Sequence, residues 1–269
     1  MLGKWNATGL NIIRNMTMHN NQVMLSMERL STGKRINRAA DDPAGLAISE
    51  RMRAQIRGLQ VAQRNIQDGI SMVQTAEGVL NETHAILQRM RELSVQASNG
   101  ALSDKDRALL NQEFQQLKDE IARHGQQSEF NTKPLLDGSQ NPTKIQVGAN
   151  AGQTIDLEFG NLGDLDLKDV SIATQEEANE AISKLDEAIH NVSSERSRLG
   201  AYVNRLEHAY NNAMTMEENL TAAESRIRDV DIAKEMMALT KANILLQAGQ
   251  YVLSLHKQQA QSILQLLKT

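Results

Sequence analysis

Only three prolines interrupt this chain of 269 residues, at Pro43, Pro134 and Pro142, so two very long stretches contain nothing that forces a helix to stop. Asp42 is placed to cap the first of them, and Pro43 takes the first helical position, where its missing N–H costs nothing. From there to about Asn99 a seven-residue repeat runs through Met52, Leu59, Ile66, Val73, Leu80 and Leu87. Three residues beyond the later members stand Ala62, Gly69, Ala76 and Thr83, slim enough to admit a close neighbour. A helix of this length would span roughly 80 Å at 1.5 Å per residue. It needs a partner along its length, as in a coiled coil.

The partner lies beyond Pro142. After an acidic opening at Gln175-Glu176-Glu177, a second heptad series runs through Leu185, Val192, Leu199, Leu206, Ala213, Leu220 and Ile227. A shorter helix is predicted between the two, from about Ser103 to His124. Its apolar face comprises Leu109, Leu110, Phe114, Leu117 and Ile121, and Ser103 with Asp106 forms a capping-box variant. The segment from Phe130 to Val170 differs. It holds Pro134, Asp137-Gly138, Asn141-Pro142 and two alternating runs, KIQVGA and QTIDLEF, around Asn150-Ala151-Gly152, which reads as a β-hairpin region. The expected fold is mainly α: an elongated antiparallel long-helix coiled-coil bundle with a small β-hairpin region.

Composition agrees. Aromatics are 3% of the chain, so Leu, Ile, Val, Ala and Met must supply the packing, as they do between helices. A formal charge of −4 argues against nucleic acid as a partner. The absence of cysteine excludes disulfides, thiolate metal sites and cysteine nucleophiles. The opening MLGKWNATGL lacks the continuous apolar core of a secretory signal. No window approaches the ~18 apolar residues of a membrane span. The expectation is therefore no membrane insertion and, if the chain leaves the cell, export without a cleaved signal peptide.

Several apparent motifs dissolve on inspection. Gly33-Lys34 resembles the end of a phosphate loop, but Glu28 and Arg35 occupy the places that need glycine and a hydroxyl residue. The histidines, His19, His84, His124, His190, His208 and His256, have no ligand spacing. The pairs Asp41-Asp42 and Asp229/Asp231 stand at expected helix starts, where the helix dipole favours them. Nothing gathers an acid, a base and an oxyanion site, so neither enzyme activity nor a cofactor or metal is expected.

Specific blocks carry the argument further. ERLSTGKRINRAADDPAGLAISERMRAQIRGL, from Glu28 to Leu59, closely resembles the N-terminal signature of bacterial flagellin. The resemblance continues through NIQDGISMVQTAEGVLNETHAILQRMRELSVQASNG, FNTKPLLDG, VGANAGQTIDLEF, SRLGAYVNRLEHAYNN, ENLTAAESRIRDVDIAKEM and ILQLLK, in the family's order. Departures fall toward the two ends, in MLGKWNATGLNI, at Val23 to Ser26 and in LLQAGQYVLSLHKQQAQS.

What the resemblance implies is a self-assembling extracellular subunit of the flagellar filament, lacking the family's variable outer domain. It implies an inner terminal-helix domain from 1–42 with 227–269 and a helical rod domain from 43–226, the β region falling at about 130–170. Its implied partners are copies of itself, the flagellin export chaperone, the flagellar cap and hook–filament junction proteins, and the flagellar export apparatus. The resemblance also implies a vertebrate Toll-like receptor as partner of the QRMRELSVQ block. Arg89, Leu93 and Gln96, with Gln88 beside them and Glu113 on the intervening helix, are the residues it assigns to that receptor and to the subunit interface. For the chaperone it points to Ile244, Leu245, Val252, Leu255, Ile263, Leu264 and Leu267. Two other functions fit parts of the pattern: a hook–filament junction protein, which shares the terminal segments, and a cytosolic coiled-coil scaffold, which the heptads alone would allow.

Overall fold

The computed structural model describes residues 2–139, 142–167 and 169–266, with side chains described between residues 7 and 262. Asn141, assigned above to a turn, lies outside the described residues. Five helices dominate: α1 (Leu2–Thr32), α2 (Pro43–Ala97), α3 (Asp104–Gln127), α4 (Gln175–Arg228) and α5 (Ile232–Leu266). The expected starts hold. Asp42 Oδ1 accepts the Gly45 N–H at 2.9 Å to cap α2. Ser103 and Asp106 exchange both bonds of a capping box at the head of α3. Gly33, with φ of 70°, lets the chain leave α1 through a left-handed turn.

The chain divides into two compact units, residues 55–218 and residues 1–54 with 219–269. In the first, α2 and α4 run antiparallel. Gln60 and Gln63 both reach Glu217 at 2.7 Å, Gln67 reaches the Tyr210 hydroxyl at 3.3 Å, and Arg91 reaches Asp186 at 2.6 Å. The heptad residues Ile66, Val73, Leu80 and Leu87 face Leu185, Val192, Leu199 and Leu206 in a buried core that Phe114 and Ile121 of α3 complete, and Leu59 is buried beyond that cluster. Strands β3 (Thr143–Gln146) and β4 (Thr154–Leu157) pair antiparallel, Thr143 opposite Leu157. This hairpin lies directly on α2: a Cβ on Gly58 would meet that of Ala149 at 2.8 Å. A shorter hairpin, β1 (Glu129–Phe130) with β2 (Lys133–Pro134), and a 3₁₀ turn at Leu162–Leu165 add to the expected β region. Both are too short for hydrophobic alternation to announce them.

Arg107 closes the α2–α3 turn. Its guanidinium is almost wholly buried and donates to the carbonyls of Ala97 and Asn99, each at 3.0 Å, so orphan acceptors at the end of α2 find a charged donor. Arg107→Met keeps much of the bulk but strands the Ala97 carbonyl and leaves that of Asn99 with the Leu102 N–H alone. It should destabilise the chain by about 2–4 kcal/mol, read from the urea midpoint.

In the second unit, the loop between α1 and α2 is tied to the α4–α5 junction. The Arg35 N–H donates to the Arg228 carbonyl at 2.7 Å, and the Val230 N–H donates to that of Gly33 at 3.1 Å. Arg228, buried, pairs with Glu50 at 2.5 Å. Asp41 accepts the N–H groups of Arg38 and Asn37 at 2.9 and 3.0 Å, and these bonds hold its carboxyl below the usual value. The Arg228 guanidinium does the same for Glu50. Carboxylates with lowered folded-state pKa values contribute stability that is present above their unfolded values and lost as pH falls through the folded ones. Acidification below the ordinary values of 3.8 and 4.5 should therefore loosen this junction. Hydrogen exchange at the Asn37 and Arg38 amides checks this, and Asp41→Asn should show the fast exchange already at neutral pH.

Candidate functional site

Two surfaces stand out. The first is the pair α1·α5. Along α1, Gly9, Ile12, Met16, His19, Val23, Ser26 and Leu30 alternate at spacings of three and four and are buried or half-buried. Along α5, Glu235, Leu239, Ala242, Leu246, Gly249, Leu253, His256 and Ala260 do the same. These are the two sides of one heptad seam. Ser26 Oγ donates to Glu235 Oε1 at 2.6 Å across it, with Arg29 3.9 Å from the same carboxylate.

The seam uses only part of the apolar surface. Leu10, Ile13, Met18, Met24 and Met27 of α1 remain exposed, as do Met236, Met237, Ile244, Leu245, Tyr251, Val252 and Leu255 of α5, Ile244 by 59%. Met236, Met237, Thr240, Lys241, Ile244 and Leu245 line one shallow depression. Of the residues assigned to chaperone binding, Ile244, Leu245, Val252 and Leu255 thus share this uncovered apolar surface. Ile263, Leu264 and Leu267 lie outside the described side chains. Among the described residues, the buried apolar side chains of this unit are Val23, Ile36 and Ala242. That is a very small core for two helices of 31 and 35 residues.

The second surface is the α2–α3 face. Arg89 Nε and Nη2 both donate to Glu113 Oε1, at 3.0 and 2.9 Å, and Nη1 donates to Glu92 at 3.1 Å. The carboxylate of Glu113, more than that of Glu92, raises the guanidinium's already high pKa. Gln88 turns away to His84, 2.9 Å distant, and Gln96 is exposed. Leu93 is not on this surface. It is 0% exposed and belongs to the core that includes Phe114. The spacing of three and four that aligns it with Arg89 and Gln96 also turns it under them, toward α3 and α4.

No helix among the described residues is long and apolar enough to cross a membrane. Residues 5–141 match the family described as the bacterial flagellin N-terminal helical region, and residues 182–267 match the bacterial flagellin C-terminal helical region. The chain belongs to the bacterial flagellin family. A flagellin of Halalkalibacterium halodurans is 52% identical over 273 residues and all of both chains, and one of Bacillus subtilis is 48% identical over 98% of each. The crystal structure of Bacillus cereus flagellin superposes with a TM-score of 0.53 at 34% identity, over 60% of this chain and 94% of that one. This flagellin is accordingly a structural subunit of the extracellular flagellar filament, not an enzyme, and neither the junction adaptor nor the cytosolic scaffold is favoured.

Sequence reasoning missed part of both surfaces. Arg91 stands two residues from Arg89 and so points the other way around α2, binding Asp186 of α4. The two arginines of QRMRELSVQ thus tie α2 to a different neighbour on each side. The outer stripe of α1 was also missed, although Leu10, Ile13, Met24 and Met27 are legible as apolar residues outside the seam. Two substitutions separate packing from surface chemistry. Leu93→Ala should cost about 2–5 kcal/mol of stability through the cavity it leaves. Arg89→Ala, at a solvent-exposed ion pair, should leave the melting temperature close to that of the parent.

Proposed function

We propose that this flagellin assembles through the apolar faces of α1 and α5 that its own fold leaves uncovered, each copy burying those of its neighbours. The observation carrying this reading is the continuous exposed series from Met236 to Leu255, on a helix whose opposite side already packs on α1. Residues 1–42 and 227–269 then act as an inner terminal domain and 43–226 as a rod domain. The terminal helices draw most of their stability from the polymer, since helices with so little core of their own are marginal in water.

Before export the same surface is an aggregation hazard. The flagellin export chaperone covers it as an amphipathic helix held in a groove, with Ile244, Leu245, Val252 and Leu255 as anchors and Ile263, Leu264 and Leu267 continuing the series in sequence. The subunit passes through the flagellar export apparatus without a cleaved signal peptide and meets the cap and hook–filament junction proteins at the two ends of the polymer. Arg89, Glu113, Gln88 and Gln96 serve a subunit contact and, in the free monomer, a vertebrate Toll-like receptor. Leu93 supports them from beneath rather than touching the receptor.

Ile13→Asp together with Ile244→Asp should abolish polymerisation, measured by sedimentation, while the urea transition of the chain keeps its midpoint. Filaments of normal yield from this variant would overturn the assembly surface. Leu245→Asp with Leu255→Asp should end co-purification with the chaperone, and a surviving complex would contradict that assignment. Arg89→Ala should weaken both receptor signalling and polymerisation. Normal filaments that no longer signal would leave the receptor role and remove the assembly role.

A further inference from the structure

We propose that Met24, Met27, Met236 and Met237, on the uncovered faces of α1 and α5, form an oxidation-sensitive patch of the assembly surface, through which a peroxide stops the unassembled subunit from polymerising. Met24 and Met27 stand two residues and one residue from Ser26, and Met236 and Met237 stand one and two residues from Glu235. At about 100° per residue, Met27 and Met236 stand beside the seam that this bond crosses, and Met24 and Met237 stand on the outer sides of α1 and α5, so all four lie on the faces the pair leaves uncovered. They are between 48% and 67% exposed. Met72 and Met90, by contrast, are sealed in the core of the other unit at 5% and 0%. The chain has no cysteine, so an oxidant reaching the folded subunit meets no thiol first.

The chemistry needs only the peroxide. A lone pair of the thioether sulfur attacks one peroxide oxygen, the O–O bond breaks, and the departing hydroxide takes the proton of the new sulfur-bound hydroxyl to leave as water. The sulfur is oxidised by two electrons to the sulfoxide, and the peroxide is reduced by two. An unbranched apolar side chain that adapts to its neighbours becomes a polar one. Burying that new dipole in an apolar contact without a hydrogen-bond partner is costly. Subunits already in the filament hold these sulfurs out of reach, so oxidation falls on unassembled chains. This inference rests on the assembly reading above, because it requires that the patch be buried between copies.

The test uses full-length monomer treated with hydrogen peroxide, mapped by peptide mass spectrometry and assayed for polymerisation by light scattering. Met24, Met27, Met236 and Met237 should gain one oxygen each well before Met72 and Met90, and elongation should slow at least tenfold, as expected when a polar group must be buried without a partner. Methionine sulfoxide reductase should restore the rate. The variant carrying Met24→Leu, Met27→Leu, Met236→Leu and Met237→Leu, which nearly conserves volume, should elongate after peroxide within about twofold of its untreated rate. Full oxidation at the four sites with unchanged elongation overturns the proposal, and so does a reductase-treated chain that stays inactive. A leucine variant as sensitive to peroxide as the parent overturns it too. If Ile13→Asp with Ile244→Asp blocks assembly while oxidation does not, the oxidation patch fails alone and the assembly surface stands.

Discussion

A helix with apolar residues on two faces cannot satisfy both against a single partner, and α5 is such a helix. One face, from Glu235 to Ala260, packs in the seam with α1, while Ile244, Leu245, Val252 and Leu255 lie outside it. α1 repeats the arrangement with Leu10, Ile13, Met24 and Met27. Two helices alone offer no third layer, so this unit stays short of the burial that holds ordinary domains together. On the proposed assembly, neighbouring copies meet the deficit. A protein that must remain dispersed before assembly and cohere after it needs this imbalance.

The other unit shows no such deficit. Between residues 55 and 218 the seams of α2 and α4 close on each other, α3 fills the remaining side, and hairpin β3–β4 lies on α2. Its polar devices hold the loops. Arg107 supplies the end of α2, and Glu195 accepts the Gly160 N–H at 2.7 Å to anchor the chain beyond β4 on α4. Such a module has a closed core of its own. One chain thus carries a part whose core is closed and a part that, on the proposed assembly, polymerisation completes.

Much of this was legible because its causes are local. Asp42-Pro43 and Ser103/Asp106 announce helix starts through backbone N–H groups within three residues, and these caps form as read. Heptads from Leu59 to Leu87 and from Leu185 to Leu206 mark the buried seam because helix periodicity alone decides which residues share a side. Facts that depend on which neighbour sits where were not legible. Leu93 reads equally well as a surface contact or as core until α3 is placed against it. The Asn131-Thr132 turn of the β1–β2 hairpin puts a β-branched residue at φ of 65°, a conformation that residue choice would not suggest. The sequence blocks fixed the family, whereas the division of α5 into two faces needed α1 in place.

The register of the α1·α5 pair depends on more than hydrophobicity. Apolar residues recur along both seams, Ile, Met, Val and Leu in α1 and Leu and Ala in α5, so a slide of either helix by one heptad would still match many apolar residues with apolar ones. Three pairs distant in sequence resist the slide. Ser26 and Glu235 share a hydrogen bond in a seam that is otherwise largely apolar, and a slip would strand the buried hydroxyl. Gly249 leaves room for Met16, where an added Cβ would come within 2.9 Å of its Cγ. Gly9 likewise leaves room for the His256 ring, 3.3 Å from where its Cβ would stand. Each pair matches a small or polar residue with a partner that fits only there, so the seam specifies one alignment at some cost in apolar contact. That alignment also decides which residues are left facing outward. On the proposed assembly, the surface offered to the next subunit is therefore set inside the pair, by contacts the next subunit does not touch.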